Sequence, residues 1–125
     1  MTRQSSFSKL RNEMMHGFRE KMHQAESTED VKKFYATTMY RLFDRLVGRD
    51  NPIRPDEVTL NPSSSNGYDM TQSLQDRPLF QSAWNESDLP YIVDDFTKMA
   101  LHRHIRLEKN NEKTRAKIHH ADGKR

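Results

Sequence analysis

The stretch from Val31 to Val47 constrains this chain more than any other part of its sequence. Its apolar residues are Val31, Phe34, Tyr35, Ala36, Met39, Leu42, Phe43, Leu46 and Val47. At about 100° per residue they cover more than half of a helix circumference. A surface helix buries one stripe, whereas a face this wide requires neighbours on two sides. The segment is therefore expected to be a central helix from about Thr28 to Val47. Ser27 would open it, with Asp30 as a carboxylate near its start, and Gly48 would stop it.

Two further helices are expected around it. Phe7, Leu10, Met14, Phe18, Met22 and Ala25 recur at three- and four-residue steps, which places a first helix at about Ser6 to Ala25. Gly17 lies in the middle of that pattern, where it costs about 1 kcal/mol against alanine, and is expected to permit close helix approach. The last helix starts at Ser87 or Asp88, with Pro90 tolerated in its first turn. Ile92, Phe96, Met99, Ala100, Arg103 and Leu107 share one of its faces. That face continues as Asn110, Asn111 and Thr114, so core contact is expected to end near Leu107 while the helix continues to about Lys117.

Residues 49–77 have another character. Pro52, Pro55 and Pro62 interrupt any helix, and Ser63 to Gly67 is a turn-rich run. This stretch reads as a mobile connection, with Asp69 capping a short turn through Leu74. Pro78 then opens a short helix to Asn85 that would set Leu79, Phe80 and Trp84 against the rest. The expected fold is all-α: a bundle of three long helices plus one short helix, with a long Pro/Ser-rich connection between helices two and three. Residues 1–118 would form a single domain including that connection, and residues 119–125 a frayed basic tail.

Composition bears on how complete the core is. Hydrophobic residues make up 33% of the chain, charged residues 31%, and mean hydropathy is −1.06. Ordinary domains are roughly 45–50% apolar on a count that includes glycine. Part of the chain is therefore expected to be solvated, or its core to be completed across a subunit interface. The absence of cysteine excludes disulfides, thiolate nucleophiles and cysteine-ligated metal sites. The N-terminal residues lead into a polar amphipathic stretch, and no apolar run approaches the roughly 20 residues that span a bilayer. A cytoplasmic protein without a membrane partner is expected, in which the sequon Asn85-Glu86-Ser87 is a chance match.

Net charge is +3 and unevenly spread: basic residues dominate up to Arg49 and again from Tyr91 onward, and acidic residues dominate between. In the last helix Arg103, Arg106, Lys109, Lys113 and Lys117 fall within about a third of the circumference, with Glu108 and Glu112 on the other side. Such a stripe can track a phosphate backbone, dock an acidic protein surface, or complement the helix dipole and keep the chain soluble. No aromatic residue interleaves with it, and no helix-turn-helix, zinc-finger or RNA-recognition sequence accompanies it.

Other chemistry is sparse. Glu13-x-x-His16 and Glu20-x-x-His23 have the spacing of bundle di-iron ligands, but both pairs lie opposite the apolar face and should point to water. His102, His104, His119 and His120 read as a polar helical surface. Asp94 and Asp95 diverge by about 100° as helix neighbours and do not converge on one substrate. No glycine-rich phosphate loop or nucleophile elbow is present. No enzyme activity, metal, cofactor or small-molecule substrate is expected. Phe34 and Tyr40, at the edges of the central apolar arc, and Tyr91, off the core face of the last helix, are candidate interface anchors. The expected function is a non-enzymatic protein-interaction module, acting as a homodimer or as a small subunit or adaptor. The alternative is a nucleic-acid-binding protein using its basic helix.

Overall fold

The computed structural model describes residues 6–49 and 51–123, the side chains of residues 110–123 excepted. Among the described residues the chain is mostly helical, with α1 (Ser8–Gln24), α2 (Thr28–Val47), α3 (Gln72–Gln75), α4 (Pro78–Glu86) and α5 (Leu89–Gly123). Two strands, β1 (Val58–Leu60) and β2 (Tyr68–Met70), form an antiparallel hairpin between α2 and α3.

Local chemistry sets the ends. Ser27 accepts from the Asp30 N–H at 3.1 Å, satisfying an orphan donor of α2, while the Asp30 carboxylate accepts from the N–H of Glu26, the residue before the cap, at 3.0 Å. The Gly48 N–H closes that helix on the Asp44 carbonyl at 3.0 Å. Pro78 occupies the first turn of α4, where its missing N–H costs nothing. The first turn of α1 finds its partner at a distance: the Phe7 N–H donates to Asp88 Oδ1 at 2.9 Å.

Helix α2 is central, as its wide apolar face requires. It packs against α1, α4, α5 and β1, with Val31, Tyr35, Met39, Leu42, Phe43 and Val47 all buried. The Tyr35 phenol is buried too. Thr97 donates its hydroxyl hydrogen to the Val93 carbonyl at 2.7 Å, so Tyr35 donates to Thr97 Oγ1 at 2.7 Å. Burial pushes the Tyr35 phenol well above its ordinary range. Helix α1 runs antiparallel to α2: Glu13 meets Arg45 at 3.8 Å, and Lys21 lies 5.2 Å from the Phe34 ring centroid. It runs parallel to α5, since Arg11 pairs with Asp95 at 3.2 Å and the Phe18 and Phe96 rings meet edge-on at 5.1 Å.

Two buried faces are rotated from where the sequence pattern puts them. On α1 the buried residues are Met15, Phe18 and Met22, while Phe7, Leu10 and Met14 are only partly covered. The cause is α5, which packs on the Met15 side. On α5, Val93, Thr97 and His104 are buried beside Phe96 and Ala100, while Met99 and Arg103 are half-covered. On the Thr97 side the hairpin contributes, since its Gly67 lies close to Thr97 and Leu101. His104, expected on a polar surface, is 5% exposed, and its Nδ1 lies 3.3 Å from Glu108.

The segment 49–77 corrects the expectation most. It is folded into the hairpin and the short α3, and it supplies Ile53, Val58, Leu60 and Leu74 to the core. Thr71, not Asp69, caps α3, accepting from the Leu74 N–H at 3.2 Å; Asp69 lies in β2 opposite Thr59. The segment is held by Glu57, a carboxylate only 2% exposed. It accepts from the Arg54 N–H at 3.0 Å and the Thr71 hydroxyl at 2.7 Å, and Arg77 lies 3.9 Å away. Burial pushes this carboxyl up, but the two hydrogen bonds and the Arg77 and Arg54 charges together outweigh burial and hold it below the ordinary glutamate range. Arg77 also donates to the Asn51 carbonyl and, at 2.9 Å, to the Pro52 carbonyl, tying the start of the segment to its end.

In α4, Phe80 packs between Phe43 and Trp84, but Leu79 is 49% exposed and not against the body as expected. The cause is its place on the helix: burying Phe80 turns the preceding residue about 100° away. Leu107 is the last buried residue among those described, and the α5 backbone is helical to Gly123, past His119 where a frayed tail was expected. Residues 124 and 125 lie outside the described residues.

Candidate functional site

Helix α1 has an open depression on each side. Toward α2 lies a groove of about 450 Å³, with Met14 and Phe18 on its floor and Tyr40 on its rim. Glu13, Lys21, Arg41 and Asp44 border it, so both signs of charge are present. Gly17 lines this groove and is exposed. A Cβ built on it meets nothing within 4 Å. Among the described residues, the close helix approach expected at Gly17 does not occur.

Toward α5 lies a smaller cleft of about 260 Å³. Met22 and Met99 form its apolar floor, and Arg19, His23, His102, Arg103 and Arg106 surround them, with no acidic residue in the lining among the described residues. Arg103 is fixed: its Nη2 donates to the Ala25 carbonyl at 2.8 Å and lies 3.5 Å from the His23 carbonyl. These are unsatisfied carbonyls at the α1 C-terminus, where a cation is favoured. Of the acids nearest in sequence, Glu20 lies 3.2 Å from His16, Glu108 lies 3.3 Å from His104 and Asp95 pairs with Arg11 at 3.2 Å, while exposed Glu26 has no ion-pair partner among the described residues. Among the described residues, Arg19 and Arg106 have no ion-pair partner.

The residues expected to carry function are thus only partly brought together. Arg103 and Arg106 share the cleft, but Arg103 acts first as a clamp on α1. Lys109 is exposed farther along α5, and the side chains of Lys113 and Lys117 lie outside the described residues. Phe34 is half-buried beneath Lys21, Tyr40 lines the α1–α2 groove, and Tyr91 stands apart on the first turn of α5, 76% exposed. Arg19 and His23 were not singled out, because their role depends on α1 lying parallel to α5, which no local pattern encodes. The one available signal was their location among the basic residues of the last two turns of α1.

The Asp94–Asp95 pair diverges, with Asp94 on Lys98 at 3.0 Å and Asp95 on Arg11 at 3.2 Å. His16, expected to face water, pairs with Glu20 on the surface. Among the described residues no group of three or more histidine and carboxylate side chains could hold a metal ion, and no helix is long and apolar enough to cross a membrane. Comparison with protein families, with curated proteins and with solved structures finds no match.

Proposed function

We propose that the protein is a non-enzymatic helical interaction module, a three-long-helix bundle that forms a homodimer through the Gly17 face of α1. Gly17 carries this reading. A glycine inside a helix costs about 1 kcal/mol relative to alanine, and nothing among the described residues lies close enough to require it. The conformational cost has a use if a second backbone approaches there.

Charge favours a second copy as the occupant. Glu13 and Lys21 lie four residues to either side of Gly17, about 6 Å along the axis each way. When two copies of α1 cross antiparallel at Gly17 about a two-fold axis, Glu13 of each copy faces Lys21 of the other. A two-fold interface requires this self-complementarity. Met14 and Tyr40 supply apolar and aromatic contact beside the crossing.

Sedimentation equilibrium over a wide concentration range tests the reading. Glu13→Lys and Lys21→Glu should each weaken self-association, because each places like charges across the axis. An equimolar mixture of the two variants should restore it as a heterodimer, since both cross-axis pairs are then opposite in sign. A protein that stays monomeric at millimolar concentration sinks the homodimer. A Gly17-dependent complex with a different protein would instead make it a small subunit or adaptor.

A further inference from the structure

The cleft between α1 and α5 lies on the opposite side of α1 from Gly17 and is independent of dimer formation. Arg19 is two residues beyond Gly17, about 200° around the helix. We infer that this cleft, walled by Arg19 and His23 of α1 and by His102 and Arg106 of α5, binds the phosphate backbone of a duplex nucleic acid.

Three observations carry this. First, the wall is built from two helices whose relative placement is fixed. Arg103 clamps the end of α1 onto α5 through the Ala25 carbonyl at 2.8 Å, which holds Arg19 and Arg106 across one opening. Second, the cations are uncompensated. Among the described residues no acid lines the cleft, and neither Arg19 nor Arg106 has an ion-pair partner. Arginines held together without counter-charge repel one another and favour an oxyanion that accepts from their planar forks. Third, Lys109, exposed and three residues past Arg106 on α5, extends the cationic surface about one turn beyond the cleft. A row of cations leading out of an open cleft suits a polymer of phosphates better than a single enclosed anion. The described lining contains no phenylalanine, tyrosine or tryptophan ring as a platform for unpaired bases, which favours a duplex over a single strand.

Arg19 separates this site from a basic C-terminal arm acting alone, because it belongs to α1. The measurement is fluorescence anisotropy of duplex DNA against the full chain from about 50 to 200 mM salt. Arg19→Gln and Arg106→Gln are each expected to reduce the log–log salt slope by about 0.9 and to weaken binding roughly eightfold at 0.1 M salt, the counterion-release contribution of one phosphate. Lys9→Gln removes the same charge about 15 Å along α1 and should leave the slope unchanged. Arg19 and Lys9 are exposed, so each variant should fold, and circular dichroism is the check. Equal losses in Arg19→Gln and Lys9→Gln would mean diffuse attraction and overturn the site. So would an unchanged slope in Arg19→Gln, a preference for single-stranded RNA over the duplex, or binding to phosphatidylserine vesicles without binding to DNA.

Discussion

Two glycines mark opposite uses of the missing side chain. Gly17 adjoins open space, so Gly17→Ala should raise stability by about 0.5–1 kcal/mol through helix propensity, read as an upward shift of the thermal midpoint. Gly17→Leu should fold equally well and abolish self-association, because the new side chain occupies the crossing point. Gly67 is the converse case. It sits at φ +90° in the hairpin loop, and a Cβ there would lie 2.7 Å from both Leu101 Cδ1 and Thr97 Cγ2. Gly67→Ala combines an unfavourable backbone conformation with a collision against α5. It should cost about 2 kcal/mol or more in urea denaturation, and hydrogen exchange should quicken in the hairpin before the helices. A substitution as mild as at Gly17 would mean that the hairpin does not dock on α5 in solution.

At the scale of elements, two arginines act as fasteners. Arg103 holds the end of α1 to α5, and Arg77 holds residues 51 and 52 to Glu57. Arg103→Leu keeps the aliphatic stem and removes the guanidinium. It should cost about 1–2 kcal/mol and accelerate amide exchange selectively over residues 21–25. The helices themselves were legible in the sequence: α2 begins and ends where Ser27 and Gly48 place it, because capping and the 3.6-residue period are local properties. What lay between α2 and α4 was not legible. Strands of three residues are too short to display alternation, and the prolines around them read as interruptions and not as the entry to a hairpin. Arg103 fell on the expected core face and in the expected basic stripe at once. Its clamp resolves that conflict, but the clamp depends on the parallel packing of α1 and α5. The cleft was half legible for the same reason, since Arg106 was visible as a charge and Arg19 became its partner only in three dimensions.

For the whole molecule, stability should depend on pH at both ends of the scale. Glu57 is held below its ordinary value in the folded state. Its contribution is therefore complete above the ordinary glutamate value of about 4.3 and is lost as pH falls through the lower folded-state value. Glu57→Gln should be less stable than the native chain at neutral pH, with the gap narrowing in acid. At the alkaline end the raised phenols of Tyr35 and Tyr68 act in the opposite sense. Their contribution is present below the ordinary tyrosine value of about 10 and declines as pH rises beyond it. Tyr35→Phe should flatten that decline, and an unaltered alkaline limb would show that the phenol is not sealed from water.

The parallel pairing of α1 with α5 also bears on biosynthesis. The partners that α1 finds in α5 and its start are Asp88, Asp95, Phe96 and Arg103, each about 80 residues downstream. A chain emerging from the ribosome makes α1 first, yet α1 cannot complete its packing until the last helix has been synthesised. Until then the cover that α5 gives its apolar face, the Phe18–Phe96 contact included, is missing. Ribosome-stalled chains ending near residue 87 should therefore recruit hydrophobic-surface chaperones, and release should follow once residues through Leu107 have cleared the exit tunnel.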